Sequence, residues 1–224
     1  MSAFDDLLEL SPWMRALDAA QHARMRDDLV ERRIACGGFV CRKGEPVEHW
    51  IGVIEGLVKI SSVSSGGKAV TFTGVAPGGW FGEGSMLKDE PRRYDGVALR
   101  DSRIAYLPRA TFQWLLDTSI AFNRYLLIQL NERLGQFIGT VEIDRLLGPD
   151  ARVARCLAQL FNPLLYPGLG RKLGISQGEI GYLTGLSRQR VNQALRRLEG
   201  IGLLKVEYGS VTVLSVDGLR EFED

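Results

Sequence analysis

Ser176-Gln-Gly-Glu-Ile-Gly-Tyr-Leu-Thr-Gly185-Leu-Ser187-Arg-Gln-Arg-Val191-Asn-Gln-Ala-Leu195-Arg-Arg-Leu198-Glu199 holds two helix starts and one tight turn. Ser176 followed three residues later by Glu179 is a capping box, in which each side chain takes the other's backbone N–H. It predicts a helix over Gln177–Leu183 with Ile180 and Leu183 inward. Gly181 is small where two helices must come close, and Gly185 suits a left-handed turn. Ser187 then caps a second helix, Arg188–Glu199, with Val191, Leu195 and Leu198 inward and Gly200 and Gly202 ending it. The spacing of Gly181, Gly185 and Val191 is that of a helix-turn-helix. A plain helical hairpin would share the amphipathicity but has no need of arginines at the exposed start of its second helix. Leu203–Tyr208 and Ser210–Ser215, joined around Gly209, predict a β-hairpin wing.

Such a unit reads double-stranded DNA. The first turn of its second helix enters the major groove, and Arg188, Gln189, Asn192 and Gln193 face outward from Ser187 onward. Arginine matches guanine, and glutamine or asparagine matches adenine, each through two hydrogen bonds. Arg190, Arg196 and Arg197 are left for phosphates or for acidic side chains. The formal net charge is only +1, yet residues 171–205 carry seven basic side chains against Glu179 and Glu199. Residues 1–30 carry six acids against three arginines, so the basic charge sits where the motif sits.

Upstream, Asp150 can cap a helix over Ala151–Phe161 with Val153, Cys156, Leu157 and Leu160 on one face. A loop, Asn162–Leu173, follows it. Between about 118 and 147 the period is helical, and Leu127, Leu130, Leu134, Phe137 and Val141 step by three and four as in a coiled-coil seam. That seam either packs on its own chain or meets a second copy. At roughly 1.5 Å per residue such a helix would run to about 44 Å, beyond what one small domain covers, which favours a dimer. Gly148–Pro149 ends it. From 34 to about 108, short β-rich runs (Trp50–Ile54, Leu57–Val63, Ala69–Val75, Gly96–Leu99, Arg103–Leu107) alternate with turn signals at Gly44–Pro46, Ser64–Gly67 and Ala76–Gly79. These predict an antiparallel roll. Residues 4–33 read as short helices. The expected fold is α+β: a sensing β-roll with N-terminal helices over 1–117, a long dimerisation helix over 118–147 and a winged helix-turn-helix over 148–224.

This order resembles the cyclic-AMP receptor protein and fumarate–nitrate regulator (CRP/FNR) family over nearly the whole chain. The residues that carry the likeness are Gly44-Glu45, Glu55-Gly56-Leu57-Val58-Lys59, Gly79-Trp80-Phe81-Gly82-Glu83 and Gly185-Leu-Ser-Arg-Gln-Arg-Val191 with Leu195 and Leu198-Glu199. The resemblance implies a homodimeric transcription regulator, with RNA polymerase as a further partner and an effector in the roll that repositions the reading helices. It also implies that Gly82 and Glu83 meet a ribose and that Arg93 meets a phosphate, with Arg92 beside it. Tyr94 and Asp95 stand where family members that bind cyclic AMP carry a serine and a small residue, and an added carboxylate opposes an anion. Phe137 and Ile138 stand where that family's adenine-contacting hydroxyls stand. The pattern therefore argues against cyclic AMP and leaves the effector unnamed. Glu83 and Arg93 could instead pair with each other and hold the roll together. Departures at Gln189 and Gln193, where the family often has glutamate and arginine, imply an atypical operator, still palindromic by dimer symmetry.

The N-terminus lacks a secretory signal, and no apolar run reaches the roughly 20 residues of a membrane span. A cytoplasmic protein with no membrane partner is expected. Cys36, Cys41 and Cys156 complete no metal or cluster framework, although Cys36 and Cys41 could form a redox pair. His49 alone cannot assemble the metal site of a cupin-like β-roll enzyme. No metal, cofactor or catalytic residue is expected. A cyclic-nucleotide-binding regulatory module without DNA function would leave the winged helix unexplained.

Overall fold

The computed structural model describes residues 3–64, 66–67 and 69–224, except the Ala3 side chain; Ser65 of the Ser64–Gly67 turn signal lies outside the described residues. The chain divides into two compact units, one running to Glu132 with Pro163–Gly168 added, the other comprising Arg133–Asn162 and Leu169–Asp224.

The first unit starts with α1 (Ala3–Leu10), a 3-10 turn (Pro12–Ala16) and α2 (Ala19–Asp28), the last closed by a capping box between Asp18 and Gln21. Eight strands follow: β1 (Val30–Ile34), β2 (Phe39–Cys41), β3 (His49–Glu55), β4 (Val58–Val63), β5 (Ala69–Val75), β6 (Trp80–Phe81), β7 (Asp95–Ala98) and β8 (Ser102–Pro108). They form two antiparallel four-stranded sheets, ordered β1-β8-β3-β6 and β2-β7-β4-β5, which is the expected roll.

Five elements correct the sequence reading. Val30–Arg33 was expected to be helical and belongs to strand β1, because all five residues of Val30–Ile34 pair with β8 and Arg103 binds Glu31 across the ladder at 2.9 Å and Asp6 of α1 at 2.8 Å. Its mostly exposed face gives it no apolar alternation to recognise. β2 and β6 are too short to show a period. Between β6 and β7 lies α3 (Glu83–Lys88), and α4 (Arg109–Thr118) precedes the long helix α5 (Ile120–Leu146). Ser119 interrupts the two, and its Oγ accepts the Phe122 N–H.

An aromatic cluster fills the core. Trp50 and Trp80 stack with centroids 4.3 Å apart, and Trp13 packs on both, on Phe122 and flat on Tyr125 at 5.0 Å. Trp80 donates to Ser11 Oγ at 3.0 Å, and Gln129 of α5 donates to the Trp80 carbonyl at 2.8 Å. Gly52 of β3 admits the stack, since a Cβ there would lie 2.9 Å from the Trp80 ring.

In the second unit α6 (Pro149–Gln159), β9 (Lys172–Leu173), α7 (Gln177–Thr184), α8 (Arg188–Gly200), β10 (Leu204–Glu207), β11 (Ser210–Val213) and α9 (Val216–Glu221) follow one another. The sheet order is β10-β11-β9. Asp150 was expected to cap α6, but Gly148 occupies that position and Pro149 begins the helix.

Because Trp13 touches four rings and its indole N–H has no acceptor among the described residues, packing alone holds it. Trp13→Ala should destabilise the roll unit by about 3–5 kcal/mol, read from urea denaturation of the full chain; a loss below ~1 kcal/mol would show that the cluster does not depend on it.

Candidate functional site

The reading unit forms as its caps dictate. Ser176 Oγ accepts the Glu179 N–H at 3.2 Å while Glu179 takes the Ser176 N–H. Gly185 has φ +68°, the left-handed turn, and a Cβ on Gly181 would lie 2.8 Å from the Leu186 carbonyl oxygen. The close approach at Gly181 is thus to the turn itself. Ser187 caps α8 by accepting the Arg190 N–H at 3.3 Å. Ile180, Val191, Leu195 and Leu198 are buried as expected, whereas Leu183 is half-buried and Thr184 is buried in its place. The wing turns at Gly209, and Lys172 ties β9 to Glu207 at 2.6 Å.

Ser187, Arg188, Gln189, Gln193 and Arg196 are exposed along α8, and Asn192 is partly so. A groove of about 360 Å³ runs between Arg188, the start of α7 and the wing residues Val206–Val211. Arg190 and Arg197 do not share the free face. Both converge on Asp150: Arg190 Nη2 contacts Oδ1 at 2.6 Å, off the hydrogen-bonding direction, and Arg197 Nη1 donates to Oδ2 at 2.9 Å. Of the two partners left open for these arginines, phosphate or acid, the fold supplies the acid. Nothing in the local sequence could have revealed it, since Asp150 is 40 residues or more away.

In the roll, Glu83 is buried and accepts the Trp50 indole N–H at 3.4 Å. Arg92 is also buried and donates to the His49 carbonyl at 2.7 Å, with its Nη1 near Gly82, where a Cβ would lie 2.8 Å away. That Nη1 has no hydrogen-bond acceptor among the described residues. Arg93 turns outward to Glu90 at 2.6 Å, and this contact, with that of Lys88, holds the Glu90 carboxyl down at about 2. The structure therefore does not pair Arg93 with Glu83. Tyr94 lies beside Phe81, with ring centroids 6.5 Å apart, and Asp95 Oδ1 accepts the Lys43 N–H at 2.8 Å. Phe137 and Ile138 are exposed on α5, as are Leu127, Leu134 and Val141, while Leu130 is half-buried.

All three cysteines are free thiols. Cys36 is exposed, and burial raises the pKa of Cys41, which works against the thiolate that redox chemistry needs. Burial likewise pushes Cys156 up to about 12 and lowers the His49 pKa, so that His49 favours its neutral form. Among the described residues no helix is long and apolar enough to cross a membrane.

Comparison with known proteins agrees with this geometry. The cyclic nucleotide-binding domain family matches residues 31–119, and the Crp-like helix-turn-helix domain family matches residues 151–222. The cyclic AMP receptor protein of Thermus thermophilus is 30% identical over 169 residues, 75% of this chain and 76% of that protein. This chain belongs to the CRP/FNR family of transcription regulators. The transcriptional regulator SdrP of the same organism is 29% identical over 174 residues, 77% of this chain and 82% of SdrP. FixK2 from Bradyrhizobium japonicum shares the fold of this CRP/FNR regulator with a TM-score of 0.73 at 20% identity, over 88% of this chain and 98% of FixK2.

The turn at Gly185 makes a separable demand. A Cβ there would meet only Arg152 Nη2, at 3.9 Å, so the cost of Gly185→Ala is conformational. It should destabilise the reading unit by about 1–2 kcal/mol, measured by chemical denaturation; an unchanged midpoint would show that the turn tolerates a side chain.

Proposed function

We propose that this CRP/FNR regulator works as a homodimer that reads a two-fold palindrome, without catalysis of its own. The observation that carries this reading is the apolar stripe of α5: Leu127, Leu134, Phe137 and Val141 are 69%, 59%, 46% and 51% exposed and recur at helical spacing. So much apolar surface on one helix face is what a second copy of the helix would cover. Two copies related by a two-fold axis present two reading helices, and each half-site meets Arg188, Gln189, Asn192 and Gln193, with Ser187 and Arg196 beside them. RNA polymerase is the downstream partner this role implies. Sedimentation of the wild type at micromolar concentration should give a dimer, and Leu134→Glu a monomer with strongly weakened binding to two-half-site DNA. A wild-type monomer would sink the dimer reading.

The roll then takes a small anion other than cyclic AMP. The buried Arg92 supports this, because its Nη1 awaits an acceptor beside Gly82 and Glu83. A buried charged donor left unmet costs about 1–3 kcal/mol or more, which a bound anion would recover. Arg93, Tyr94 and Asp95 would border the cradle. Ligands that bind the native state raise its melting temperature. A panel of nucleotides and small organic acids should include one that raises it in the wild type and not in Arg92→Gln, whereas a shift with cyclic AMP alone would overturn the effector class.

A further inference from the structure

Besides Arg188, α8 carries three arginines, at 190, 196 and 197, on a helix taken to lie against DNA. Two of them are already engaged. Asp150 belongs to the first turn of α6, and its side chain is only 8% exposed. A carboxylate this far from water must be paired, because its lost hydration is otherwise uncompensated. It draws in Arg190 and Arg197, whose own side chains remain 31% and 50% exposed. The end of the chain reinforces the arrangement. Asp224 Oδ1 accepts the Ala151 N–H at 3.0 Å and lies 3.9 Å from Arg197 Nη1, whose guanidinium also rests over the Phe222 ring at 5.4 Å. Arg196, one residue away, is exposed and makes no ion pair among the described residues.

We propose that Asp150 is a positioning residue that withholds Arg190 and Arg197 from DNA phosphates, leaving Arg196 as the phosphate-contacting arginine of α8 beyond its first turn. The inference rests on the DNA reading given above and adds a consequence for specificity. Phosphate contacts strengthen binding to every sequence alike, whereas discrimination depends on the ratio of specific to non-specific binding. Two arginines held by an internal acid keep the reading helix positively charged enough to dock while limiting its attraction to the wrong sites. The same contacts brace α8 against α6, so the helix that carries Arg188 is held from behind.

The slope of log affinity against log salt counts neutralised phosphates, at about 0.9 per contact on duplex DNA, and a purely structural ion pair does not enter that count. The full-length protein would be titrated against a mixed-sequence duplex over a range of salt concentrations. Arg196→Ala should lower the slope by about 0.9, and Arg190→Ala and Arg197→Ala should leave it unchanged. Asp150→Asn should raise it by about 0.9 for each arginine released, and adding Arg190→Gln and Arg197→Gln to that variant should restore the wild-type slope. If Asp150→Asn does not fold, the two single alanine variants decide the matter. A fall of about 0.9 on either Arg190→Ala or Arg197→Ala overturns the proposal while leaving DNA binding intact. A wild type that binds no DNA at any salt concentration fails the DNA reading, and the proposal with it.

Discussion

The roll unit depends on one contact between distant parts of the chain, the stack of Trp50 on Trp80 at 4.3 Å. Strand β3 can carry Trp50 beside β6 only because Gly52 leaves room for the second indole. Trp13 from the N-terminal turn and Phe122 and Tyr125 from α5 close around the pair. Aromatic contacts of this kind add to the large burial each ring brings. The placement of Gly82 and Glu83 follows from the stack, since they come directly after β6 and the Trp50 indole also donates to Glu83. The segment that carries Gly82 and Glu83 is therefore tied to the hydrophobic core through Trp50.

The second unit is organised around a buried charge. Asp150 has water on almost no side and is ion-paired with two arginines from α8, while Asp224 takes the Ala151 N–H beside it. Helix α8 is thereby held from α6 as well as through the inward Val191, Leu195 and Leu198. Family membership accounts for a roll followed by a helix-turn-helix.

Legibility in the sequence follows the range of the interactions. The capping box at Ser176–Glu179, the turn at Gly185 and the cap at Ser187 are contacts within a few residues, and the structure has each of them. Strands β3, β4, β5 and β8 carry enough β-branched and aromatic residues to be read within a residue or two. Val30–Ile34 does not, because its strand state comes from pairing with β8 some 70 residues on. The break at Ser119 also escaped, since α4 and α5 are separated by a single residue with no glycine or proline to mark it.

The site residues divide the same way. The sequence by itself determined that α8 exposes Arg188, Gln189 and Gln193, because a 3.6-residue period and the inward Val191, Leu195 and Leu198 leave them no other face. It likewise determined the apolar stripe on α5. Only the tertiary structure decided that Arg92, and not Arg93, is the buried arginine of the roll. Consecutive side chains leave the backbone in different directions, and the choice depends on where the His49 carbonyl and Gly82 lie in three dimensions. Only the tertiary structure decided, too, that Arg190 and Arg197 belong to Asp150. A charge seeks its partner through space, and the partner's distance along the chain leaves no trace in the residues around it.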